Sequence, residues 1–323
     1  MAELSVRRGE SADLPAIIEL LSASMKRDPS EPYEALFRWK HLDNPFGPSP
    51  SWVATEGEQI VGFRTFLRWN FRHDGEVVRA VRAVDTATHP DFQGRGIFTK
   101  LTLSALDDLR ADGITMIFNT PNDKSRPGYL KMGWQQIGAL PAKVLVTNLA
   151  SVARIARSRV PASIWSMSTE RGLDTSVALS DGAALEGLLQ SQPAWSGLTT
   201  ERSPAFLRWR YGFGPLHYRA VVAPEGLHQG VAVFRLRRRG RAVETVIADV
   251  LVPGADTTKA RRLAAATART AGGDYALTLG RRAPSRAWLP LPGGPILTAR
   301  PLDDGTSPAL DQWDLNLGDV ELF

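Results

Sequence analysis

The sequence contains no cysteine, and its 323 residues include only five histidines. The first absence excludes disulfides, a thiol nucleophile and every cysteine-ligated zinc or iron–sulfur site. No two histidines stand in an H-x-x-x-H pair, so no metal site is expected, and any acyl transfer should be direct rather than through a cysteinyl intermediate. No run of about 18 apolar residues occurs, and MAELSVRRGE lacks a hydrophobic signal core, which points to the cytoplasm and to no membrane segment. The charge is nearly balanced, with 39 Lys and Arg against 34 Asp and Glu. The sharpest basic run, Arg235-Leu-Arg-Arg-Arg-Gly-Arg241, lies between the apolar-alternating stretches 231–234 and 242–247. It reads as a charged hairpin tip that keeps a sheet edge soluble, and its lack of interleaved aromatics argues against a nucleic-acid partner.

Against that background one segment stands out, Val84-Asp-Thr-Ala-Thr-His-Pro-Asp-Phe-Gln-Gly-Arg-Gly-Ile-Phe98. Its first half is a strand closed by Pro90. Gly94 and Gly96 then permit a tight turn, and from Ile97 the apolar positions Ile97, Leu101, Leu103, Leu106 and Leu109 recur at helical spacing. A strand-turn-helix of this kind aims backbone N–H groups at one point in front of a helix N-terminus, a cradle suited to a phosphate or pyrophosphate. It is not a Walker A loop, because no Lys-Ser or Lys-Thr follows, and it is not a dinucleotide fingerprint, because Thr99 replaces the third glycine. Downstream, the apolar strand 114–118 leads into Asn119 and then Ser125-Arg-Pro-Gly-Tyr-Leu-Lys-Met-Gly-Trp134.

Together the two segments resemble the acyl-CoA signatures of the GCN5-related N-acetyltransferase (GNAT) superfamily, [QR]-x-x-G-x-[GA] followed by Asn and Y-x-x-x-G-[FW]. Gln93 and Gly96 match the first; Phe98 stands where the family usually has Gly or Ala. The resemblance implies acetyl-CoA as acyl donor, with Gln93, Gly94, Arg95, Gly96, Ile97 and Phe98 at its pyrophosphate and Asn119 at its pantetheine arm. It further implies a backbone donor within Thr86, Ala87 and Thr88 for the thioester carbonyl oxygen, and Tyr129 as the acid that protonates the leaving thiolate. A tyrosine there could equally be an amphipathic core residue. An acceptor amine must lose a proton, and Asp85 is the first candidate base, with His89 second. Asp85 could also be a structural carboxylate, and His89 a turn residue. The Phe323 carboxylate is a third, more remote candidate. In this fold the early helices build the acceptor channel, which places Trp39, Asn44 and Phe46 in its wall.

The architecture is stated twice. The helical stretch 180–189 echoes 11–21, Phe206-Leu-Arg-Trp-Arg210 echoes Leu36-Phe-Arg-Trp-Lys40, and Val246-Ile-Ala-Asp-Val250 echoes Arg82-Ala-Val-Asp-Thr86. The second copy lacks the glycine cradle and the Asn and Tyr signatures, so it is read as degenerate. The predicted fold is α/β (α+β), two tandem acetyltransferase-like domains, each a mixed, mostly antiparallel twisted sheet flanked by helices. Residues 1–149 form the first, 150–174 an amphipathic connector, and 175–323 the second, ending in a strand-like run at Trp313, Leu315 and Leu317. The function expected is transfer of acetyl from acetyl-CoA to a primary amine, most simply a small-molecule amine or amino sugar. The alternative is a non-catalytic CoA-binding or scaffolding protein.

Overall fold

The computed structural model describes residues 3–147, 160–280, 287–303 and 305–321. The chain divides into two compact units, one formed by Met1–Phe71, Glu76–Gly138 and Ile296–Pro308, the other by Arg72–Gly75, Ala139–Pro295 and Ala309–Phe323. Residues 150–159 of the expected connector fall outside the described residues, as does Phe323, while Ser166–Met167 and Leu173–Asp174 of its remainder pair into the second unit's sheet.

The first unit begins with β1 (Leu4–Arg8), α1 (Leu14–Met25) and α2 (Tyr33–His41). Pro15 opens α1, Lys26 closes it in the left-handed region at a φ of 51°, and Ile17, Leu20 and Leu21 form its buried stripe. Strands β2 (Ser51–Glu56), β3 (Gln59–His73) and β4 (Glu76–Thr88) follow. The β3–β4 turn carries positive φ at both Asp74 and Gly75, the arrangement whose twist matches paired strands. Next come α3 (Ile97–Ser104), α4 (Leu106–Ala111), β5 (Met116–Asn119), α5 (Arg126–Lys131) and β6 (Gln135–Ala139). One apolar layer packs α3 to α5 on the sheet through Val61, Phe66, Val81, Ala83 and Tyr129, and another packs α1 and α2 through Val53, Phe63 and Ala87.

Strands β1 to β5 lie in sequence order, with β4 and β5 parallel, but the next strand is not β6. Ile296–Pro301 lies between β5 and β6 and pairs antiparallel with β5, Thr298 facing Asn119. Conversely, Ala142–Val146, expected to close the first domain, pairs with Tyr275–Leu279 in the second unit's sheet. Each repeat thus gives a late strand to the other's sheet. Both exchanged strands are bonded on both flanks, so pairing of the inner strand edges, not proximity in sequence, sets the division.

The second unit repeats the order. Helices Gly182–Gln190 and Pro204–Tyr211 precede the hairpin Val231–Arg239 and Ala242–Leu251, the helix Thr257–Ala271 and the parallel strand Tyr275–Leu279. Two mixed sheets with flanking helices match the predicted fold class. The terminal run differs from its strand-like reading: only Trp313–Asp314 is extended, and Asn316 caps a helical turn at Leu317–Val320.

Candidate active site

The turn and the helix start lie where the sequence implied. Pro90–Phe92 makes a 3-10 turn, Gly94 and Gly96 adopt φ of 75° and 72°, and α3 starts at Ile97 with no side-chain cap. A Cβ at Gly94 or Gly96 would meet nothing within 4 Å, so the concavity is open in front of the first-turn amides. The helix reaches it because Gly62 on β3 lets Ile97 approach; a Cβ there would sit 2.4 Å from the Ile97 side chain. Phe98 does not fill the concavity. Its ring turns inward onto the core layer beneath α3, edge-on to Tyr129 with ring centroids 5.4 Å apart. Arg95 is engaged by Glu56 at 2.7 Å, leaving the backbone donors as the cradle's main attraction for an anion.

Behind the cradle, β4 and β5 pair from Ala80 with Met116 to Arg82 with Phe118, and beyond that point β4 continues without β5. Asn119 ends β5 at this fork. Its side-chain oxygen accepts from Thr298 Oγ1 at 2.5 Å, which orients the amide and leaves its NH2 without a hydrogen bond among the described residues. Tyr129 comes from α5, where Pro127 starts a single short helix, and its ring lies among Phe98 and Trp134. Its hydroxyl accepts a hydrogen bond from Arg64 Nη1 at 2.8 Å.

The proton-transfer candidates separate. Asp85 has a φ of 40°, which breaks the strand alternation. Val81 and Ala83 therefore face α3, while Ala87 faces α1 and α2. The Asp85 carboxylate points to α2, 2.5 Å from Lys40 Nζ and 2.7 Å from His41 Nε2, with Arg27 at 3.9 Å. Burial alone would raise this carboxyl, but the Lys40 charge and the His41 hydrogen bond outweigh it and hold it well below the carboxylate range. Burial lowers His41 despite Asp85, so its ring is neutral in the fold, its Nδ1 paired with Ser49 at 2.9 Å. The second unit repeats the contact: Tyr211, in the place of His41, donates to Asp249 at 3.1 Å. An anchor present in both repeats belongs to the scaffold. His89 caps the 3-10 turn, its Nδ1 accepting from the Asp91 amide at 3.3 Å.

The residues expected in the acceptor wall are mostly committed to packing. Asn44 donates to the Arg68 carbonyl at 2.8 Å and accepts from the Phe46 amide at 3.0 Å, a loop staple rather than a free recognition group. Trp39 is buried, and Phe46 lies edge-on to Trp69. Sequence reasoning missed Lys40, His41 and Arg64. The signal for Arg64 was a lone cation inside the apolar run Ile60-Val-Gly-Phe-Arg-Thr-Phe-Leu67.

The sequence of residues 5–137 matches the model of the acetyltransferase (GNAT) domain. This part of the chain is a GNAT domain. The structure extends the likeness across both units. A conserved protein of unknown function from Enterococcus faecalis, described as a probable N-acyltransferase, superposes with a TM-score of 0.67 at 14% identity, covering 94% of this chain and 73% of that one. A GCN5-related N-acetyltransferase from Anabaena variabilis gives 0.65 at 12%, covering 93% and 73%. Eis1 from Mycobacterium abscessus gives 0.57 at 17%, covering 93% and 74%. At these identities the likeness is one of fold. No curated protein matches the sequence.

The corresponding helix start of the second unit, at Thr257, lacks the Gly94 and Gly96 pair of the first. The second unit's parallel strands pair from Glu244 with Tyr275 to Val246 with Leu277 and then diverge around a cavity of about 220 Å³. At the helix start beside it, the Asp256 carboxylate already accepts from the Thr258 and Lys259 amides at 2.8 and 2.9 Å, so an anion would meet a negative charge there. Among the described residues no group of His, Asp or Glu could hold a metal ion, and no helix is long and apolar enough to cross a membrane.

Proposed function

We propose that the protein is an acyl-CoA-dependent N-acyltransferase that moves acetyl from acetyl-CoA directly to a primary amine of a small acceptor, such as a polyamine or an amino sugar. The observation that carries this reading is the uncapped start of α3 behind Gly94 and Gly96, next to the β4–β5 fork that ends in Asn119. The cradle's amides would hold the pyrophosphate. The Asn119 NH2 would meet an amide of the pantetheine arm, and the exposed β4 edge would supply further backbone groups within Thr86 to Thr88.

In this reaction the amine nitrogen forms a bond to the thioester carbon, the carbon–sulfur bond breaks, and the amine gives up a proton. Tyr129 supplies the proton that the sulfur takes up. Its oxygen accepts from Arg64, so its own hydrogen is free to be donated. Asp85, pinned by Lys40 and His41, serves the scaffold, and the amine proton passes to solvent. Isothermal calorimetry with acetyl-CoA and a thiol-release assay against an amine panel test the reading. Tyr129→Phe is expected to lower turnover at least tenfold with the acetyl-CoA Kd within about threefold. Tight binding without turnover on any amine would favour the scaffolding reading, and absence of binding would remove both.

A further inference from the structure

Arg64 is a guanidinium in a place where a core normally puts a neutral side chain. It is wholly buried on β3, and no carboxylate lies within ion-pair distance of it among the described residues. Its carbon lies 4.6, 5.6 and 5.3 Å from the ring centres of Phe66, Phe98 and Tyr129, and its one hydrogen bond goes to the Tyr129 hydroxyl. Nε and Nη2 are buried without a hydrogen-bond partner among the described residues. The second unit also buries an arginine on a strand of its hairpin, Arg235, and there Glu321 neutralises it at 2.9 Å. Aromatic faces offset part of the cost of a buried cation, but an uncompensated buried charge is a net destabiliser. A fold that keeps one against a tyrosine hydroxyl has a use for it there.

We infer that Arg64 is a positioning residue for Tyr129, which fixes the hydroxyl and supplies the positive charge that stabilises the phenolate formed during acyl transfer. The inference rests on the function proposed above. Arg64 Nη1 occupies one oxygen lone pair and leaves the O–H free to be donated toward the leaving sulfur. When Tyr129 protonates that sulfur, its O–H bond breaks, an S–H bond forms, and the negative charge moves to an oxygen 2.8 Å from the guanidinium. A proton from solvent, balancing the one the amine released, restores the phenol. Phe98 belongs to the same unit. Its ring covers the guanidinium and abuts Gly128, where a Cβ would lie 3.2 Å from it, so the residue that departs from the family pattern shields the pair from water and strengthens it.

The test uses Arg64→Met, Arg64→Lys, Tyr129→Phe and the Arg64→Met/Tyr129→Phe double variant of the full chain. Four quantities are read: melting temperature, acetyl-CoA Kd by calorimetry, and kcat and KM by thiol release with whichever of spermidine, glucosamine or neomycin the wild type acetylates fastest. Arg64→Met is expected to melt at or above the wild type, because an unpaired buried charge is gone, and to lose at least tenfold in kcat with Kd within about threefold. Arg64→Lys should recover part of that loss, and the double variant should be no slower than the slower single, as expected of residues acting as one unit. If Tyr129→Phe is slow while Arg64→Met keeps its kcat, the inference fails and the function stands. It fails in the same way if Arg64→Met loses melting temperature and affinity along with kcat and Arg64→Lys restores neither, which is the mark of a packing role. If Tyr129→Phe is as fast as the wild type, the acid role fails and the inference goes with it.

Discussion

The carboxylate of Asp85 meets Lys40 and His41 in the first unit, and that of Asp249 meets Tyr211 and Arg202 in the second. The partners differ in charge while the tie from the fourth strand to the second helix persists, so the tie serves folding. Its energetics are pH-dependent in a definite direction. Burial holds His41 below its ordinary value, and the net field at Asp85 does the same for the carboxyl, so both are deprotonated in the fold. A depressed folded-state value gives stability above the unfolded value and loses it as pH falls. For His41 the loss starts near pH 6.5, with a slope of up to about 1.4 kcal/mol per pH unit for one proton; for Asp85 it starts near pH 4. Thermal melts between about pH 7.5 and 5.5 should show the decline, and His41→Gln should flatten it. An equal slope in that variant would remove His41 as the cause. A structural role for Asp85 was open in the sequence, but its partner was not legible there, since His41 and Asp85 lie 44 positions apart. A lone histidine or aspartate carries no mark of its partner. Tyr129 was legible because its neighbours at fixed spacing form a motif, whereas its partner Arg64, 65 positions away on another strand, was not.

At the scale of elements, the two helix starts at corresponding places in the repeats carry opposite chemistry. The start of α3 is bare behind two left-handed glycines, and the start of Thr257–Ala271 is closed by Asp256. The difference predicts that a carboxylate placed at the bare start will close it. Gly94→Asp puts one there at a φ of 75°, a conformation that aspartate tolerates better than most residues. Acetyl-CoA affinity should fall at least tenfold, about 1.4 kcal/mol, with the melting temperature within a few degrees of wild type. Unchanged affinity would place the pyrophosphate elsewhere. This contrast could be read in advance, because turn glycines, caps and helical periodicity are local. The acceptor wall could not. Asn44 and Phe46 look like recognition residues in a Pro- and Gly-rich loop, yet their polar atoms close that loop on itself.

For the whole molecule, the repeat order was visible in the sequence and the strand exchange was not. Ala142–Val146 and Ile296–Pro301 are ordinary apolar segments, and nothing in such a segment names the sheet it joins. The exchange makes the GNAT domain depend on residues far outside the matched stretch 5–137. Thr298→Pro removes a ladder donor and the hydroxyl that orients Asn119, at a cost of about 1–3 kcal/mol for the orphaned acceptor. Acetyl-CoA binding should weaken sharply, measured by calorimetry beside circular dichroism melts. Wild-type affinity in that variant would show that the central strand can be dispensed with.

The same exchange sets a schedule for the ribosome. Ile296 is translated about 160 residues after β6 ends at Ala139, roughly 8–30 s at ordinary bacterial or eukaryotic elongation rates. Until then β5 and β6 of the nascent chain wait with open edges on either side of an empty slot. The β5 side of the fork gains its neighbouring strand only once Pro301 has been made, so an interrupted chain that contains all of the matched stretch 5–137 still lacks the strand that pairs with Asn119.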